Sequence, residues 1–198
     1  MAVLTEKQIK YGFDYYHKDD ARPKSVVEVS EYDGEDKLII NCTQLDEGYS
    51  AKDKKRIWLE WCDFLVNNPD TFTELMFCTR MPQDLFDAVC AQRRLKKLHI
   101  KWGVYPDISK LENLQELEYL HIGSGRSVSS LEPISRLVNL VALSIENFQQ
   151  IDDYAPLANL KHLESLALEG DFAAPKILKV QSLEFLRHMK QLRFFSFL

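Results

Sequence analysis

The 198-residue chain lacks most of what would announce a membrane protein or a catalyst. No apolar run approaches the ~18–20 residues of a membrane span. The start, MAVLTEKQIKYGFDYYHKDD, has no apolar stretch of the secretory kind, so the expected home is cytoplasmic. Glycine is scarce, at seven residues. Gly123-Ser124-Gly125-Arg126 has neither the length nor the lysine of a phosphate loop and reads as a turn. No Gly-x-Ser-x-Gly elbow and no His-Glu-x-x-His pair occurs. Cys42, Cys62, Cys78 and Cys90 show no close pairing or zinc spacing and read as reduced, packed thiols. Excess positive charge is missing too: a net charge of −5 argues against nucleic acid. These absences lead to a non-enzymatic chain with no cofactor, no metal, and no nucleic-acid or membrane partner.

What is present is a spacing. The frame LxxLxL, with apolar residues at its first, fourth and sixth positions, recurs six times. It appears as Phe72-Leu75-Phe77, Leu95-Leu98-Ile100, Leu117-Leu120-Ile122, Leu140-Leu143-Ile145, Leu163-Leu166-Leu168 and Leu192-Phe195-Phe197. The starts lie 23, 22, 23, 23 and 29 residues apart. Leu111, Ile134, Leu157 and Leu186 each precede the next frame by six residues, and Leu114, Leu137, Leu160 and Met189 by three. A fixed period of this size signals a solenoid whose units bury their apolar faces against one another. Each unit reads as a strand, a turn and a convex leucine-rich segment. Strand alternation sends the fourth and sixth frame residues inward and the third, fifth and seventh outward.

The stretches IDDYAPLANLKHLESLAL (Ile151 to Leu168) and VSSLEPISRLVNLVALSI (Val128 to Ile145) resemble the leucine-rich repeat family, in its short internalin-like subtype. Pro133 and Pro156 fall where a convex helical turn would begin. Asp107, Ser130 and Asp153 sit where side-chain oxygens can hold turn amides. The resemblance covers about residues 72–198 and implies an α/β fold: a curved parallel sheet of about six repeats. It implies further that function lies in protein binding. The family's asparagine at the ninth frame position is replaced by Arg80, Gly103, Gly125, Phe148 and Asp171, so irregular turns are expected after the strands.

Residues 1–71 have a different texture and are expected to form an α+β cap. Glu6 to Tyr16 reads as a short helix. Val26 to Val29 and Leu38 to Asn41 read as strands of a hairpin around Asp33-Gly34. Asp33, Glu35 and Asp36 at its tip do not have calcium-loop spacing. Lys55 to Val66 reads as an amphipathic helix with Ile57, Trp58, Trp61, Phe64 and Leu65 on one face, ended by Asn67-Asn68-Pro69-Asp70.

At the far end the chain closes on Arg193-Phe194-Phe195-Ser196-Phe197-Leu198, an apolar edge strand with no polar capping unit. Three explanations compete: a longer natural chain, a homodimer through this strand, or the preceding unit, with its extra residues at Gly170 to Lys176, folding over it.

The candidate partner surface is the outward row of the strands. Lys97, His99, Lys101, Trp102, Tyr119 and His121 bring cations, imidazoles and aromatics; Glu146 and Glu169 bring carboxylates beside small residues. Tryptophan, tyrosine and charge on a rigid surface are the chemistry of protein hot spots. The expected partner is a folded protein, such as a toxin or enzyme that this chain would inhibit. A scaffold role through the edge strand or convex face is the rival. An anionic ligand at Lys97, Lys101 and Trp102 is a weaker third. His99 and His121 should lie ~5 Å apart on neighbouring strands, with no obvious third metal ligand.

Overall fold

A residue that must bury its side chain on the next unit forces the units into register, and the period becomes a ladder. A computed structural model describes residue 6, residues 22–170 and residues 178–198. In chain order its strands are β1 (Lys24–Val26), β2 (Lys37–Ile40), β3 (Glu74–Phe77), β4 (Met81–Pro82), β5 (Lys97–Ile100), β6 (Gly103–Val104), β7 (Tyr119–Ile122), β8 (Ala142–Glu146), β9 (Ser165–Glu169) and β10 (Phe194–Phe197). Eight of them form one parallel sheet in the order β1-β2-β3-β5-β7-β8-β9-β10.

The register matches the frames residue for residue. Leu75, Leu98, Leu120, Leu143, Leu166 and Phe195 stand side by side, as do Phe77, Ile100, Ile122, Ile145, Leu168 and Phe197. Leu38 extends the first row by one strand. From Leu38 to Leu168 these spine residues are at most 1% exposed. Each buried aliphatic or aromatic side chain contributes about 1.5–3 kcal/mol of transfer free energy.

The convex segments are short. They are 3-10 turns at Ser109–Asn113, Ala155–Asn159 and Glu184–His188, and one α-helical turn, Glu132–Ser135. Pro133 and Pro156 stand in the first turn of their segments. The turn amides are held by the expected oxygens: Ser109 N donates to Asp107 at 2.8 Å, Glu132 N to Ser130 at 3.2 Å, and Ala155 N to Asp153 at 2.9 Å. Ser182 does the same for Glu184 N at 3.1 Å.

The first rungs use true helices. Helix α1 (Ala51–Asn67) starts four residues earlier than its apolar pattern, because the Ser50 hydroxyl accepts from Asp53 N. It buries Ile57, Trp61 and Leu65, with Trp58 and Phe64 half-buried beside them. Helix α2 (Gln83–Val89) packs against it. The expected helix over Glu6 to Tyr16 lies outside the described residues beyond Glu6.

The expected hairpin is not formed: β1 and β2 run parallel. β2 also pairs parallel to β3, so the sheet passes unbroken across residue 72. The Asp-Gly turn signal loses to packing. Tyr32 inserts between α1 and the strand start, its ring 5.2 Å from Phe64 and 5.6 Å from Phe72. The Glu31 carboxylate accepts from Val27 N at 2.6 Å. Val27 to Asp36 thus serves as an abbreviated crossover, with Gly34 at φ 108° completing the bend.

Candidate functional site

The outward positions of consecutive strands make two rows. One runs Lys37, Glu74, Lys97, Tyr119, Ala142, Ser165, Phe194; the other Ile39, Met76, His99, His121, Ser144, Ala167, Ser196. Parallel pairing places each residue beside its counterpart on the next rung, so side chains some 23 residues apart in sequence become neighbours.

The imidazoles of His99 and His121 stack face to face, centroids 4.3 Å apart and planes 11° from parallel. His121 Nδ1 lies 3.0 Å from the Ser144 hydroxyl. Glu74, 5% exposed, stands between two cations, 3.8 Å from Lys97 Nζ and 3.9 Å from Lys37 Nζ. Glu146 and Glu169 are side by side on β8 and β9. Lys101 is exposed and Trp102 half-buried, with the Trp102 carbonyl accepting from Met81 N at 2.9 Å.

Burial divides the row. Tyr119 is 3% exposed, and Ala142, Ser144, Ser165 and Ala167 are at most 1% exposed. Lys97 keeps 26% of its side chain accessible. Lys37 belongs to the same charged run, although the sequence reading placed it in the cap. Its signal was Leu38, in register with the aliphatic spine one strand before the first recognised frame.

The ninth frame position explains the irregular turns. Gly103 opens the short β6, which pairs with β4 in a second, two-stranded parallel ladder. A side chain at Gly103 would meet the Met81 carbonyl at 2.3 Å. One rung on, the Phe148 ring covers Gly125 so closely that a Cβ there would lie 2.0 Å from it. Stacking and backbone pairing stand where the family has an asparagine. The buried Tyr105 hydroxyl donates to the Gly123 carbonyl, and its ring stacks on Phe86 at 5.1 Å.

Thiol chemistry finds no support at three of the four cysteines. Burial pushes Cys42 up to about 12 and Cys62 up to about 11, and raises Cys90 further still. These thiols stay protonated and unreactive near neutrality. Among the described residues no three His, Cys, Asp or Glu side chains are grouped to hold a metal. None of the described helices is long and apolar enough to cross a membrane.

No family model and no curated protein sequence matches the chain. Solved structures do. Internalin C2 of Listeria monocytogenes aligns with a TM-score of 0.52 at 18% identity, covering 81% of this chain and 68% of that one. The chain has the leucine-rich repeat fold. Internalin F of the same bacterium aligns at 13% identity with a TM-score of 0.49, covering 81% of this chain and 54% of that one. At 18% identity the likeness to internalin C2 speaks for the leucine-rich repeat architecture alone.

Proposed function

We propose that the sheet face carrying Lys97, His99, Lys101, Trp102, Tyr119, His121, Glu146 and Glu169 docks a folded protein. On this reading the chain is an inhibitor or immunity-type protein that occludes a toxin or enzyme. The leucine-rich repeat fold typically serves as a protein-binding module. The observation that supports the reading most is the graded chemistry of one rigid sheet face. Lysines, stacked imidazoles and Trp102 occupy β5, β7 and the turn after β5, while Glu146 and Glu169 stand on β8 and β9. A preformed sheet orders few groups on binding, so little of the contact energy is spent on ordering. Opposed charges at the two ends would fix the partner's orientation.

The test is capture of the partner from the native cell, then calorimetry with variants of the exposed end of the row. Trp102→Ala and Lys101→Glu should weaken the complex by roughly 2 kcal/mol or more while the circular dichroism spectrum is kept. Undiminished affinity removes this face from the interface. An enzyme or toxin that stays active within the complex removes the inhibitory role and leaves the docking.

A second reading, a scaffold that pairs through β10, is favoured by the exposure of that strand's apolar side chains. Phe195, Phe197 and Leu198 are 38%, 44% and 79% exposed. This reading requires a concentration-dependent dimer that Phe197→Lys abolishes. A monomer at every concentration in light scattering sinks it.

A further inference from the structure

The turn edge of the first rungs holds an open cavity of about 440 Å³, lined by Thr43, Gln44, Trp58, Arg80, Pro82 and Val104. Its floor is apolar: the half-buried Trp58 of α1, Pro82 of β4, and Val104 of β6, which is 47% exposed. Its rim is built rather than accidental. Arg80 N donates to Gln44 Oε1 at 2.9 Å, and the Thr43 hydroxyl donates to the Arg80 carbonyl at 2.6 Å. Gln44 itself is held at φ 55°, a conformation that a non-glycine residue adopts only where its surroundings impose it.

These bonds engage the Gln44 side-chain oxygen and the Arg80 carbonyl and leave side-chain donors over. Among the described residues no carboxylate pairs with the exposed Arg80 guanidinium, and the Gln44 amide nitrogen has no acceptor. A positive fork above an apolar floor complements one kind of ligand. We infer that this pocket accepts a peptide segment of a partner protein in which an aspartate or glutamate adjoins an aromatic or large aliphatic side chain. The carboxylate meets Arg80 and Gln44, and the apolar side chain lies against Trp58, Pro82 and Val104. The pocket adjoins the turn that carries Trp102, whose carbonyl accepts from Met81 N, but none of its lining residues belongs to the proposed docking face, so failure of either leaves the other standing.

The experiment uses the whole chain, ¹⁵N-labelled, titrated with acetyl-Phe-Asp-amide and with acetyl-Phe-Asn-amide, the Trp58 indole resonance assigned through Trp58→Phe. The aspartyl compound should shift that resonance saturably and bind roughly tenfold tighter, the difference one charge-assisted hydrogen bond makes. Arg80→Gln should erase the preference and keep the amide spectrum of a folded chain. Should that variant unfold, the preference in the native chain must still shrink as salt is added. Equal affinity for the two compounds overturns the proposal, as does a salt-independent preference or no saturable shift at Trp58. A Trp58 shift that follows protein concentration alone also overturns it, since a second copy would then be the occupant.

Discussion

The rungs up to β6 and the rungs from β7 onward solve the same stacking problem differently. In the later rungs the convex segments are four or five residues long, and the aliphatic spine supplies nearly all the cohesion. The earlier rungs carry longer helices and are fastened by buried polar clamps. Gln92, fully buried, donates to the Leu65 and Asn68 carbonyls at 2.6 and 2.9 Å and accepts from Phe72 N at 3.2 Å. It joins the end of α1 to the start of β3. The Trp61 indole donates to the Val27 carbonyl at 2.8 Å, tying α1 to the first crossover. A tight period aligns its own backbone groups. Where a longer segment intervenes, the backbone groups it frees need side-chain partners.

This contrast can be attacked at four points. Gln92→Leu should have the largest effect, roughly 3–5 kcal/mol in urea unfolding, because it orphans two carbonyls and one amide inside the protein. A loss below about 1 kcal/mol would show that the clamp is dispensable. Leu143→Ala, in the middle of the later spine, should cost about 3 kcal/mol from lost burial and the cavity left behind. If it instead cost less than Gln92→Leu by a wide margin, the spine would not be the chief source of cohesion there.

The two buried tyrosines sharpen the same contrast. Tyr105→Phe removes a donor from the Gly123 carbonyl and should cost about 1–2 kcal/mol. Tyr154, on the later rungs, has a buried hydroxyl with no hydrogen-bond partner among the described residues, so Tyr154→Phe should stabilise the fold, by about 1 kcal/mol at neutral pH. Equal losses in the two variants would erase the distinction. A dependence on alkali checks the same residue. Burial pushes the Tyr154 phenol from its usual value near 10 up to about 12. The folded state therefore favours the protonated form. That contribution is complete below about pH 10 and is lost as pH rises through about 12. Wild type should lose stability relative to Tyr154→Phe across that window; parallel pH curves would contradict the assignment.

Much of the fold could be read from residue types alone. The rows through Leu120, Leu143 and Leu166, the prolines at the convex turns and the Asp107, Ser130 and Asp153 turn oxygens all depend on local spacing, and all lie where their pattern put them. The stacked His99–His121 pair was legible for the same reason, since one period separates the two residues. The parallel β1–β2 pairing was not. Asp33-Gly34 is a sound hairpin signal, and only the aromatic nest of Tyr32, Phe64 and Phe72 overrides it. Nor could frame position alone reveal that Tyr119 would be buried while Lys101 stayed exposed, although both are outward-facing.

The amino-acid order by itself settled the direction and pitch of stacking, because a side chain that repeats every 22 or 23 residues finds its apolar complement only on the neighbouring rung. Tertiary packing alone decided where polar groups would be consumed and where they would be left over. Gln92, Tyr105 and Glu74 find partners 18 to 37 residues away, and no local pattern encodes those pairings. The same logic leaves Arg80 without an ion-pair partner among the described residues while its backbone is pinned on both sides. Burial makes each unmet hydrogen bond costly, and that cost is assessed only once distant segments meet.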